Sequence, residues 1–188
     1  AISGAVSGDF NGADSAAGKV ENNEVTLSAN NVKGSANGAK AFDDVSNNEV
    51  ELNVTGTIGG DLYGARSEAG AASSNDITLT AGSVNGSAYG AYAANDVTDN
   101  TVNVTISGAV SGDLSGAASA NGKAENNDVT LSADNVKGDV YGAKALGDAA
   151  GNKAEVKVAE TIDGGLYGVK SEAGAASSND ITLTAGSV

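Results

Sequence analysis

Apolar and polar residues alternate in the stretches that follow an asparagine. Asn75-Asp76-Ile77-Thr78-Leu79-Thr80-Ala81 is one such run, with Ile77, Leu79 and Ala81 on one side and Asp76, Thr78 and Thr80 on the other. A period of two carried by Ile, Leu, Val and Thr predicts a strand with one buried face. A second extended segment passes through paired glycines, as in Ile58-Gly59-Gly60-Asp61-Leu62-Tyr63-Gly64-Ala65. The small polar stretch between them, Ser67-Glu68-Ala69-Gly70-Ala71-Ala72-Ser73-Ser74, has no apolar stripe at helical spacing, so a loop or an irregular third strand is expected.

This pattern recurs every 26 residues. A β-branched residue opens each copy of the motif β-branched-x-Gly-x-x-x-Gly at Val6, Val32, Ile58, Val84, Val110, Val136 and Ile162, and Val188 stands where the next would begin. A fixed period of this length marks a solenoid, in which each unit buries its apolar face against its neighbours. The expected fold is all-β: a parallel β-solenoid formed by one repeat array over residues 1–188. The units are of two kinds. Val25 to Val32, Ile77 to Val84, Val129 to Val136 and Ile181 to Val188 are 7 apart, whereas Val50 to Ile58, Val102 to Val110 and Ala154 to Ile162 are 8 apart. One residue reverses the face of everything after it in a strand. The longer units therefore read as one unbroken face, Val102 through Val110 and Gly112 to Gly116. The shorter ones need a bulge or turn near Asn30-Asn31, Gly82-Ser83 or Asp134-Asn135. The structural repeat is thus 52 residues. Residues 2–84 recur at 106–188, identically from Ser67 to Val84 and Ser171 to Val188, which indicates duplication of a 104-residue block.

Three columns of recurring residues are candidates for special roles. The motif glycines pair as Gly8 and Gly12, Gly34 and Gly38, Gly60 and Gly64, Gly86 and Gly90, Gly112 and Gly116, Gly138 and Gly142, and Gly164 and Gly168. Placed inward, they let the opposite wall approach closely, giving a flat, narrow solenoid. A phosphate-binding loop is the competing reading, but no helix or Lys-Ser/Thr pair follows. Asn23, Asn48, Asn75, Asn100, Asn127, Asn152 and Asn179 stand at spacings that alternate 25 and 27. Asparagine tolerates the left-handed backbone of a corner, and stacked amides form hydrogen-bonded ladders; a ligand site is the alternative. Tyr63, Tyr89, Tyr141 and Tyr167 fall on the face away from the glycines, where adjacent rings stack. They are read either as packing or as a contact stripe for sugar or protein.

Composition narrows the chemistry. The chain has 27 Gly, no Cys, His, Pro, Met or Trp, and a formal net charge of −14. That charge disfavours nucleic acid and anionic membrane as partners. No apolar run approaches the roughly 18 residues of a membrane span. Without His or Cys, the Ser/His and Cys/His schemes of nucleophilic catalysis have no residues to use, and no enzyme is expected. Asp9, Asp61, Asp113 and Asp139 share a column with Ser35, Ser87 and Gly165. A calcium array wants oxygen ligands in every unit, so no cofactor is expected, with calcium the competing case. Outward positions such as Thr26, Glu51, Thr78 and Asn103 are too mixed for an ice-binding threonine array.

The recurring Val136-Lys137-Gly138-Asp139-Val140-Tyr141-Gly142-Ala143, together with the Asn-Asn-x-Val-Thr runs, resembles the passenger repeats of bacterial autotransporters, in which the corresponding segment ends Tyr-Gly-Gly. The resemblance implies a right-handed parallel β-helix displayed outside a Gram-negative cell. The expected role is then a structural scaffold in an extracellular fibre, stalk or filament. The alternative is an adhesin module that recognises glycan or host protein through the tyrosine face. Expected partners are further copies joined end to end or laterally, or other surface proteins and glycans. Starting and stopping within the pattern, the chain reads as an interior slice of a longer array.

Overall fold

A computed structural model describes residues 4–188; Ala1, where the slice reading began, lies outside the described residues. The chain is all-β and winds through about seven turns, each adding one parallel strand to each of three sheets. In the fourth turn these strands are Ala88–Ala93, Val97–Thr98 and Thr101–Val110. They belong to a middle sheet, a short-strand sheet and a long-strand sheet. Strands in all three pair in parallel with the turns before and after, so every coil is hydrogen-bonded along the axis.

The sequence reading had two extended segments and a flat cross-section. The structure has three strands per coil, and the Ser67–Ser74 stretch contributes the third, Ala72–Ser73. The glycine-containing segment is also cut in two. Ile58 ends a long strand and Leu62 begins the next middle strand, with a turn at 59–61 between them. The face expected to run unbroken from Val102 to Gly116 is likewise interrupted at 111–113. Glycine favours turns as strongly as close approach, and spacing alone does not separate the two.

The two kinds of unit are resolved in full. In turns containing Asp76–Val84 the long strand is one residue shorter than in those containing Glu49–Ile58 or Thr101–Val110. The ladder slips between Ala81 and Val84 opposite Ile106 and Val110, a bulge that absorbs the extra residue. The difference is returned at the next corner. Four residues, 68–71, link Ser67 to Ala72, whereas three, 94–96, link Ala93 to Val97. Every turn therefore closes on 26 residues, and the middle sheet keeps a constant register.

The core is thin and aliphatic, with side chains such as Leu52, Ile77, Leu79, Ile106 and Leu131 almost wholly buried. Its volume is shared between sheets. Where the middle strand opens with a large residue the long strand holds alanine, as in Leu62 with Ala81 and Leu114 with Ala133. Where it opens with alanine the long strand is β-branched, as in Ala36 with Val54 and Ala88 with Ile106. Interiors pack at near-crystalline density, so this exchange keeps successive coils equal in girth.

Candidate functional site

The asparagine column runs the length of the described chain. Asn48 donates its backbone N–H to Asn75 Oδ1 at 3.1 Å and its side-chain Nδ2 to the same oxygen at 2.9 Å. Nδ2 also donates to the carbonyls of Val20 and Ser46, each at 3.0 Å. The same step joins Asn23 to Asn48, Asn75 to Asn100, Asn100 to Asn127, Asn127 to Asn152 and Asn152 to Asn179. Burial of an amide is costly unless its groups are paired, and here each asparagine pairs the one before it. The left-handed conformation expected of these residues belongs instead to their predecessors. Asn22, Asn47, Ser74, Asp99, Asn126, Gly151 and Ser178 have φ between 54° and 64°.

The glycines divide by position. A Cβ on Gly38, Gly64, Gly90 or Gly116 would lie 2.1–2.2 Å from the side chain of Val50, Ile77, Val102 or Val129, each in the same coil. Gly12, Gly142 and Gly168 are pinched in the same way by Val25, Ala154 and Ile181. This is the close approach the sequence suggested. The first set was placed wrongly: Gly34, Gly60, Gly86, Gly112, Gly138 and Gly164 sit in the turn, where a Cβ would strike the Asp or Ser side chain of the previous coil, or its backbone. Gly8 meets nothing within 4 Å.

Those Asp and Ser residues form a second ladder that the sequence reading missed. Asp9 Oδ1 accepts from Ser35 N–H at 2.9 Å, Ser35 Oγ from Asp61 N–H at 3.2 Å, and Asp61 Oδ1 from Ser87 N–H at 2.8 Å. Ser87 Oγ, Asp113 Oδ1 and Asp139 Oδ1 continue it to the N–H groups of Asp113, Asp139 and Gly165. The substitution of Ser for Asp in alternate coils was the available signal, because both accept a backbone N–H and only one ligates calcium well. Among the described residues, no group of three or more acidic side chains converges as a metal would require.

The tyrosines occupy the outer side of the middle sheet. Tyr63 and Tyr89 stack with centroids 5.1 Å apart, as do Tyr141 and Tyr167. Tyr92, which was not among the candidates, meets the first pair edge-on. It lies in the column of Lys40, Arg66, Lys144 and Lys170, which share the outer side because alternation slips by one residue at the buried Gly64-Ala65 step. Arg66 stands 4.8 Å from the Tyr63 ring centre and Lys144 5.0 Å from that of Tyr141, distances typical of cation–π contact. Tyr63 donates to Asp61 Oδ2 at 3.2 Å and Tyr141 to Asp139 Oδ2 at 2.5 Å. Burial raises the pKa of both phenols above the ordinary range, with the adjacent carboxylate adding to the effect. The Tyr141 hydrogen bond, with help from Gly165 N–H, holds Asp139 below its own ordinary value.

This face is interrupted once between its two tyrosine pairs. In the fifth coil Ser115 replaces tyrosine and Ala118 replaces the neighbouring cation, leaving a cleft of about 280 Å³. Tyr89 and Tyr92 wall one side and Tyr141 and Lys144 the other. Compared with models of known protein families, with curated proteins and with solved structures, the chain matches none of them.

Proposed function

We propose that this chain is structural scaffold: a stretch of a fibre, stalk or filament at a bacterial cell surface, carried there as part of an autotransporter-like passenger. The observation that supports the reading most directly is the use made of the recurrent polar side chains. The asparagines and the Asp/Ser column spend their hydrogen bonds on the adjacent coil. A unit of this kind extends a rod without altering its cross-section, which is what an array selected for length requires. A cysteine-free chain carrying −14 suits an extracellular rod that must remain soluble along its flanks. Rods of this kind associate end to end through unpaired strand edges or are capped by further sequence.

The test is electron microscopy of material shed or sheared from the source cells, labelled with antibody against this chain. Labelled unbranched filaments or finite rods projecting from the envelope support the proposal. Label confined to the cell interior, or to compact particles without rods, would overturn it.

A further inference from the structure

We propose that the cleft over Ser115 and Ala118 is a binding site for one neutral pyranose ring of a glycan, beyond the scaffold role of the array. The cleft has the shape of one missing side chain. Tyr89 and Tyr141 occupy the same column two coils apart, and two strand spacings put roughly 10 Å between their rings. Elsewhere in the column successive rings stack at 5.1 Å. A ring seated over Ser115 would therefore have an aromatic face on each side, with Tyr92 closing the flank edge-on to Tyr89.

The polar lining points the same way. In the third and sixth coils the carboxylate before the tyrosine takes a phenol O–H on Oδ2 and a backbone N–H on Oδ1. Asp113 keeps the second bond, from Asp139 N–H at 2.9 Å. It lacks the first because residue 115 is serine, whose hydroxyl turns to the Ala117 carbonyl. Asp113 Oδ2 is thus an acceptor set where a ring hydroxyl belongs. On the opposite rim Lys144 and Glu172 pair at 3.6 Å, offering a donor and a further acceptor. A phenol has one hydroxyl for these groups and is flat. A pyranose has several hydroxyls and presents C–H groups from both faces of a puckered ring, filling more of the gap. Two carboxylates in the lining of a chain of net charge −14 disfavour uronic and sialic acids. Apolar walls with a few directed polar groups are the usual make-up of a small-ligand site.

Saturation-transfer NMR tests this on the intact chain with tetraoses of glucose, N-acetylglucosamine, mannose and galactose, plus tetragalacturonate and p-cresol as contrasts. At least one neutral tetraose is expected to receive saturation, and tetragalacturonate none. Ser115→Tyr fills the cleft with a side chain the column already accommodates, so it should keep the β-sheet circular dichroism and raise the melting temperature while weakening saccharide binding at least tenfold. Asp113→Asn retains the acceptor for Asp139 N–H and should weaken binding about tenfold. The proposal fails if no neutral tetraose receives saturation, or if binding survives Ser115→Tyr unchanged. It also fails if p-cresol alone binds, which would assign the cleft to a tyrosine side chain of a partner protein.

Discussion

Asn75 shows how much one buried amide carries. It accepts two hydrogen bonds from Asn48 and donates to Asn100 Oδ1 and the Val45 carbonyl. Asn75→Ala strands both Asn48 donors in the interior, and each unsatisfied buried group costs about 1–3 kcal/mol. A loss of about 3–5 kcal/mol is expected in denaturant unfolding, with faster amide exchange at Asn48. Asn75→Asp should be no better, since a carboxylate accepts from Asn48 but has no proton for Asn100. The preceding residue behaves in the opposite sense. Ser74 has φ 54°, a conformation that costs most non-glycine residues about 1–2 kcal/mol. Ser74→Gly should recover about 0.5–1 kcal/mol after the added entropy of the unfolded chain. Titration gives a third check. With their pKa values raised by burial, Tyr63 and Tyr141 hold more protons folded than unfolded at alkaline pH. The stability they confer is complete below the ordinary phenol pKa of about 10 and declines as pH rises above it. Alkaline melting curves should fall in that range, with phenolate absorbance growing in step with unfolding.

Among the elements, the middle strand tolerates least. Gly90→Ala would put a methyl 2.1 Å from Val102 Cγ1 and 2.6 Å from the Gly116 carbonyl oxygen. Overpacking against backbone leaves no rotamer to adjust, so a loss of about 3 kcal/mol or more is expected by thermal or chemical unfolding. The long strand and the corner after the middle strand act as a matched pair. Deleting Gly108 removes the bulge residue; inserting one residue at 94–96 lengthens the corner. Either change alone should destabilise more than both together, which convert the fourth coil to the other type; a double-mutant cycle measures that coupling. This alternation was legible in the sequence, because spacings of 7 and 8 fix strand parity whatever the tertiary context. The corner inside Ile58–Leu62 was not, since Gly59-Gly60 suits a turn and an extended strand equally. Nor was the outward turn of Arg66, which depends on Gly64 and Ala65 both facing the core. The tyrosine column and its interruption were written in the residues, but that Ser115 is a cleft needed the stacked rings on each side.

Across the whole molecule, coils of two kinds alternate, and each matches only its opposite. Tandem duplication of 52 residues, such as 58–109, should preserve the alternation of asparagine spacings and raise the melting temperature by adding interfaces. Duplicating 26 residues, such as 58–83, sets two like coils together, and the bulge and corner of one then face no complement. That chain should melt lower than the parent despite being longer. The stacking also sets how such a rod responds to load. Its hydrogen bonds lie along the axis, so tension on the ends opens them one coil at a time from whichever end is pulled. Each coil that peels away gives up about 4.8 Å of height and releases about 90 Å of extended chain. A tether of this design yields under a sudden pull by lengthening many-fold, and it holds its remaining coils intact while it does so.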